Sequence, residues 1–138
     1  MKPDFSGEYL LNRRASSLSS AAVAVDRAMI RIEHSDPVVH YSAKFESGGK
    51  CVHEFSFQMR TDDPEILPEP SGARMYWDGD VLVSEFRTRD PSLRIVWHHE
   101  LLDGGHRLRA SETLRGQGRD QDNVWEFERR GAPHRSPE

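Results

Sequence analysis

The stretch Leu93-Arg94-Ile95-Val96-Trp97-His98-His99-Glu100-Leu101 decides the fold, together with the turn Asp103-Gly104-Gly105 and the segment Leu108-Arg109-Ala110-Ser111-Glu112-Thr113-Leu114 behind it. Its side chains alternate. Leu93, Ile95, Trp97, His99 and Leu101 share one face; Arg94, Val96, His98 and Glu100 share the other. Successive Cβ atoms of a strand point to opposite faces, so a period of two marks a half-buried strand. The following segment repeats the pattern, with Leu108, Ala110, Glu112 and Leu114 on one face and Arg107, Arg109, Ser111, Thr113 and Arg115 on the other. The glycines between them supply positive φ, so the pair reads as an antiparallel hairpin.

The same alternation extends in both directions. Trp125 and Phe127 alternate with Glu126 and Glu128, and Ile30 and Ile32 with Arg31 and Glu33. Val39, Tyr41, Ala43 and Phe45 alternate with polar residues, as do His53, Phe55, Phe57 and Met59. Turn signals separate the segments at Asp36-Pro37, Ser47-Gly48-Gly49, Asp78-Gly79, Asp90-Pro91 and Gly116-Gln117-Gly118. This predicts nine strands, at 5–12, 28–35, 38–46, 51–60, 73–77, 80–88, 92–102, 106–115 and 122–129. One segment reads as a short helix: Leu18, Ala21, Ala22 and Val25 at helical spacing, with Ser16 or Ser17 as cap. Residues 61–72 hold Pro64, Pro68 and Pro70 and are expected to form a loop, not a central strand. The expected architecture is all-β, an antiparallel up-and-down barrel of about nine or ten strands, with the helix over one mouth. Residues 1–130 form the barrel domain and 131–138 a flexible tail.

Composition agrees and excludes alternatives. The chain has 138 residues, 36% hydrophobic and 30% charged, with a net charge of −4. That is one domain. The charges nearly cancel, and 3 Trp, 3 Tyr and 6 Phe are too many for a disordered tail. A single Cys cannot form an intrachain disulfide. No apolar run is long enough to span a membrane as a helix, and there is no basic field for nucleic acid. The start Met1-Lys2-Pro3-Asp4 carries no apolar leader segment, so a cytoplasmic setting is expected.

Phe5-Ser6-Gly7-Glu8-Tyr9-Leu10-Leu11 resembles the opening strand of the calycin superfamily, the lipocalins and fatty-acid-binding proteins, with Tyr9 where Trp is usual. Glu100-Leu101-Leu102-Asp103-Gly104 and Phe127-Glu128-Arg129 resemble the closing strands of the fatty-acid-binding proteins. Ile32-Glu33-His34-Ser35-Asp36-Pro37 resembles a hairpin of small bacterial lipocalin-like proteins of unassigned function, which look closer still. The resemblance implies a ligand-holding barrel. It does not carry over the fatty-acid clamp, because His99 and Trp125 stand where the anchoring residues of that family are expected. The glycine-rich opening of nitrobindin-type haem barrels is absent.

A barrel of this size holds one small ligand in a mostly apolar pocket with a few orienting polar groups. The candidate binding residues are Tyr41, Phe55, Phe57, Trp97, His99, Glu112, Trp125 and Phe127. Singly, each aromatic is more often core packing than pocket lining. His99 interrupts an apolar face, and Glu112 on the next strand would need a partner if buried. Residues whose numbers sum to about 209–211 face one another across the hairpin, so 99 and 112 are plausible neighbours.

Three readings follow. The first is binding of a small hydrophobic ligand in the barrel interior. The second is an enzyme using His99 and Glu112 as an acid–base pair. The third is a filled barrel acting through protein contacts, including a homodimer. No cofactor or metal is expected. His98 and His99 face opposite ways, and the other histidines lack zinc-site spacing. No nucleophile elbow or phosphate-binding loop is present. Cys51 alternates with His53 and Phe55 and is expected to be a buried, inert thiol.

Overall fold

The computed structural model describes residues 2–67, 72–88, 92–116 and 118–131, with backbone alone over 63–67. Ten strands form one antiparallel sheet: β1 (Gly7–Leu11), β2 (Arg27–Ser35), β3 (Val38–Ser47), β4 (Lys50–Arg60), β5 (Asp62–Leu67), β6 (Gly72–Asp78), β7 (Val81–Thr88), β8 (Leu93–Leu102), β9 (Arg107–Arg115) and β10 (Gln121–Arg129). The order is β4-β3-β2-β1-β10-β9-β8-β7-β6-β5. Every sequential hairpin pairs except β4 with β5, and β1 pairs with β10. The result is a nearly closed barrel, with its seam between β4 and the β5–β6 hairpin. Among the described residues no ladder joins β4 to β5, while aromatic rings span the gap: Phe57 on β4 meets Phe86 on β7 edge-on at 5.5 Å.

The deciding hairpin forms as its alternation requires. Trp97 pairs with Glu112, His99 with Ala110 and Leu101 with Leu108. A short 3-10 turn, Asp103–Gly105, joins the strands, with Asp103 at φ 52° and Gly104 at φ 65°. At the opposite end of β9, Gly116 has φ 119°, and a Cβ there would lie 2.3 Å from the Ser92 carbonyl oxygen. Only glycine admits that approach between the β9–β10 and β7–β8 connections.

Three expectations are corrected. Residues 16–25 form no helix: Ser17 makes an isolated bridge and 20–24 are turns. The segment makes short-range bonds, Ala22 N–H to Ser19 O and Val25 N–H to Ala22 O, each spanning three residues. It is a strap tied to the sheet: Ser17 and Val124 exchange both backbone hydrogen bonds, at 2.8 and 2.7 Å. A short Ser/Ala-rich helix has little intrinsic stability, and bonding to β10 replaces it. The covering role survives, because Leu18, Ala22 and Val25 still pack on the core.

The second correction is β5, which occupies part of the expected 61–72 loop. Pro64 lies within it, on the edge strand of the sheet where proline is tolerated, and the register shifts between Asp63 and Leu67. The rest of that loop, 68–71, and residues 132–138 of the expected tail lie outside the described residues.

The third concerns Cys51, which is exposed. The β3–β4 register shifts at Phe45/Glu46, so Phe45 faces His53 while Glu46 faces Cys51. Val52 is the extra residue, and it is 56% exposed. The bulge breaks the alternation on which the buried reading rested.

The interior is filled at one end. Phe5, Tyr9, Val39, Met75, Leu108 and Phe127 are buried there. The Tyr9 hydroxyl donates to Phe5 O at 2.7 Å and accepts from Arg129 Nη2 at 2.7 Å. Burial pushes the Tyr9 hydroxyl pKa up to about 12, against the opposing Arg129 guanidinium. Asp36 closes this end across the seam. Its Oδ1 accepts from His34 Nε2 (3.1 Å), Thr61 Oγ1 (3.0 Å) and Trp77 Nε1 (3.1 Å). Burial acts to raise its pKa, but these hydrogen bonds outweigh it and hold the carboxyl below its usual range.

The outer face is knitted by ion pairs. Glu85 is 0% exposed although it points outward, because Arg74, Arg87 and Arg94 from three adjacent strands cover it. Burial acts to raise its pKa; the three guanidinium groups overcome that and hold it at about 2. Arg107 and Arg109, on the outer face of β9, bond Glu126 across β9–β10.

Candidate functional site

The other end of the barrel is hollow. A cavity of about 620 Å³ lies between the strap and strands β3, β4 and β7–β10. It exists because β4 is an edge strand: Phe55 and Phe57 cover it from one side only and stay half-exposed. Their rings are nearly parallel, with centroids 6.3 Å apart, and Tyr41 lies against Phe57 at 4.9 Å. Phe45 meets Trp125 edge-on at 5.0 Å. The mouth is bordered by Ala21, Ala22 and Val25 of the strap and by Val52 and His53 at the start of β4.

The polar groups gather on the β9–β10 wall. Glu112 Oε1 accepts from Asn123 Nδ2 at 3.0 Å and from Trp125 Nε1 at 3.2 Å. Asn123 is buried, and its Oδ1 accepts the Ser19 backbone N–H at 2.7 Å. The Ser19 hydroxyl donates to Gln121 Oε1 at 2.9 Å, which also accepts from Asn123 Nδ2 at 3.1 Å. Asn123 therefore links the strap to the cavity carboxylate, which in turn accepts from the Trp125 indole. Replacing Asn123 with Ala is expected to cost about 2 kcal/mol, because it leaves the Ser19 N–H and one Glu112 bond unmade. Urea unfolding reads the loss. Faster hydrogen exchange at Ser19 separates it from a purely β10 effect, and unchanged exchange there would refute the tether.

Of the eight candidate residues, Phe55, Phe57, Trp97, Glu112 and Trp125 line this cavity. Phe127 does not: it is 1% exposed in the packed end. Tyr41 and His99 lie beneath the lining, joined to each other by a 3.0 Å bond between the hydroxyl and Nε2. Burial, and then the neighbouring His98 charge, pulls the His99 pKa down to about 4. Burial, and then Glu112, raises that of Tyr41. His99 and Glu112 share a face but are diagonal, each facing the other's neighbour, and among the described residues each bonds elsewhere. Missed from sequence were Phe45, Phe86, Gln121 and Asn123. Phe45 and Asn123 sit on faces that the alternation already marks as inward. The inward orientation of Phe86 needed the β6–β8 register. No group of three His, Cys, Asp or Glu among the described residues is placed to hold a metal ion. No helix there is long and apolar enough to cross a membrane.

The barrel order, the open seam and the strapped mouth define a calycin-like fold. Solved structures agree. The chain resembles secretory abundant heat soluble protein 4 from Ramazzottius varieornatus, with a TM-score of 0.61 and 10% identity over 95% of this chain and 99% of that one. It also resembles the wild-type fluorescent protein UnaG, with a TM-score of 0.61 and 12% identity over 91% of this chain and 97% of that one. At such identities the likeness is one of fold. No protein-family model and no curated protein sequence matches the chain.

Proposed function

We propose that residues 1–130 form a binding protein that takes one small hydrophobic molecule into the open end of the barrel. The observation that carries this reading is the cavity of about 620 Å³, walled mostly by aromatic and aliphatic side chains, with its carboxylate and carboxamides gathered on the β9–β10 wall. Pockets that orient small ligands have this make-up. Kinship with small bacterial lipocalin-like proteins belongs to the same proposal and rests on the Ile32–Pro37 hairpin. The catalytic reading has less support, because the two groups it pairs are bonded to other partners. An interaction reading keeps one point in its favour: β4 presents a strand edge that no described strand covers, where a second copy of the chain would add.

The test is titration with Nile red, a neutral solvatochromic dye. Saturable one-to-one binding with a blue-shifted emission, quenched by filling the cavity through Ala22→Phe, supports the proposal. Absence of saturable binding to the folded chain overturns it. Light scattering on the same sample reads the dimer.

A further inference from the structure

The cavity has one charged wall and no counter-charge. Glu112 is the only acidic or basic residue other than the mouth histidine, His53, among the described residues that line it. No Lys or Arg does so, and Glu112 makes no ion pair there. Its Oε1 is saturated by Asn123 and Trp125. Its Oε2 accepts no hydrogen bond from a described residue and is not among the buried unpartnered atoms, so it stays accessible. The carboxylate is held in place by two N–H donors, leaving one oxygen for something else.

An anionic ligand head would meet a like charge with no cation to offset it, which is unfavourable in a partly dehydrated site. A head that donates N–H and carries positive charge would pair with Oε2 by a charge-assisted bond. The surrounding rings, Phe45, Phe55, Phe57, Phe86, Trp97 and Trp125, add electron-rich faces that attract cations. We propose that the cavity selects hydrophobic amines in their protonated form, with Glu112 as the counter-charge and the aromatic walls taking the apolar body. This rests on the binding reading above and adds the chemical class of the ligand to it.

The test is competition for bound Nile red by three molecules with one tail: dodecylammonium, dodecanol and dodecanoate, each below its micelle concentration. The full chain is used at neutral pH and about 0.15 M salt, where surface charge is screened within about 8 Å. Dodecylammonium is expected to compete about tenfold more tightly than dodecanol, as a hydrogen bond to a charged group allows, and dodecanoate more weakly than either. Glu112→Gln should bring the amine down to the alcohol's affinity. Glu54→Gln, a change on the exposed outer face of β4, should leave the preference intact.

Equal competition by all three overturns the amine selectivity and leaves the binding reading standing. A preference unchanged by Glu112→Gln, or abolished by Glu54→Gln, overturns the role of Glu112. Failure of Nile red to bind at all removes both readings. The wild-type series decides the selectivity even if the Glu112 variant fails to fold.

Discussion

Replacing Phe127 with Ala is expected to cost about 4 kcal/mol, and replacing Phe57 with Ala only about 1 kcal/mol. Both are inward-facing phenylalanines of the same barrel. Phe127 pairs with Leu108 and Leu11 on its neighbouring strands and is 1% exposed. Removing its ring leaves a void in a close-packed end that has no room to collapse, so the lost transfer energy and the cavity penalty add. Phe57 is half-exposed, with one side on Tyr41 and Phe86 and another on existing empty space. Its removal enlarges a cavity that is already there and costs mainly its partial burial. The two variants should separate in function in the opposite sense. Phe127→Ala should bind Nile red as the wild type does while folded, whereas Phe57→Ala should bind it several-fold more weakly. Chemical denaturation of the two variants checks the first part. Comparable losses of stability would mean that the open end is packed as tightly as the closed one.

The contrast between the two ends also marks how much of the molecule was legible in its sequence. Alternation and turn signals together located nine of the ten strands, and alternation marked the inward faces of six of them, because period two follows from strand geometry regardless of what packs on it. It did not reveal β5. Pro64 argues against a central strand, and only the finished sheet shows that β5 is its edge. Nor did it reveal the strap. Leu18, Ala22 and Val25 have helical spacing, but whether they form a helix depends on Asn123, far along the chain, offering its amide oxygen to Ser19. The bulge at Phe45/Glu46 made Cys51 read as buried for a similar reason, since one extra residue inverts a face. For the candidate site, five of the eight residues fell in one cavity because pocket and core share the same alternation. What separates Phe127 from Phe57 is distance from the seam, and the seam is a property of strand order. His99 and Glu112 were placed correctly on one face, yet a two-residue diagonal offset gave each a different partner.

The offset matters for stability as well as for chemistry, because it leaves His99 buried with an aromatic partner instead of a carboxylate. His99 is 4% exposed and bonds the Tyr41 hydroxyl. Glu112 is engaged by Asn123 and Trp125, and His98 adds a repelling charge from the opposite face. Among the described residues, no carboxylate bonds His99 to favour the imidazolium. The folded-state pKa of about 4 therefore lies well below the unfolded value of 6.5. Above pH 6.5 both states are neutral at this position and the full stability is present. As pH falls through the window between 6.5 and 4, the unfolded chain takes up a proton that the folded chain refuses. Stability drops by about 2 kcal/mol by pH 5 and by about 3 kcal/mol below pH 4. The carboxylates meet this window only at its acid end. The pKa of Glu85, held at about 2, and that of Asp36, also lowered, produce their losses only below about pH 4.5. Urea unfolding at pH 7 and pH 5 isolates the histidine contribution. His99→Gln keeps a polar partner for Tyr41 but cannot titrate, so it should lower stability at pH 7 and flatten the fall to pH 5. A variant that retains the wild-type slope would assign the acid sensitivity to another group and remove the argument that His99 stays neutral inside the barrel.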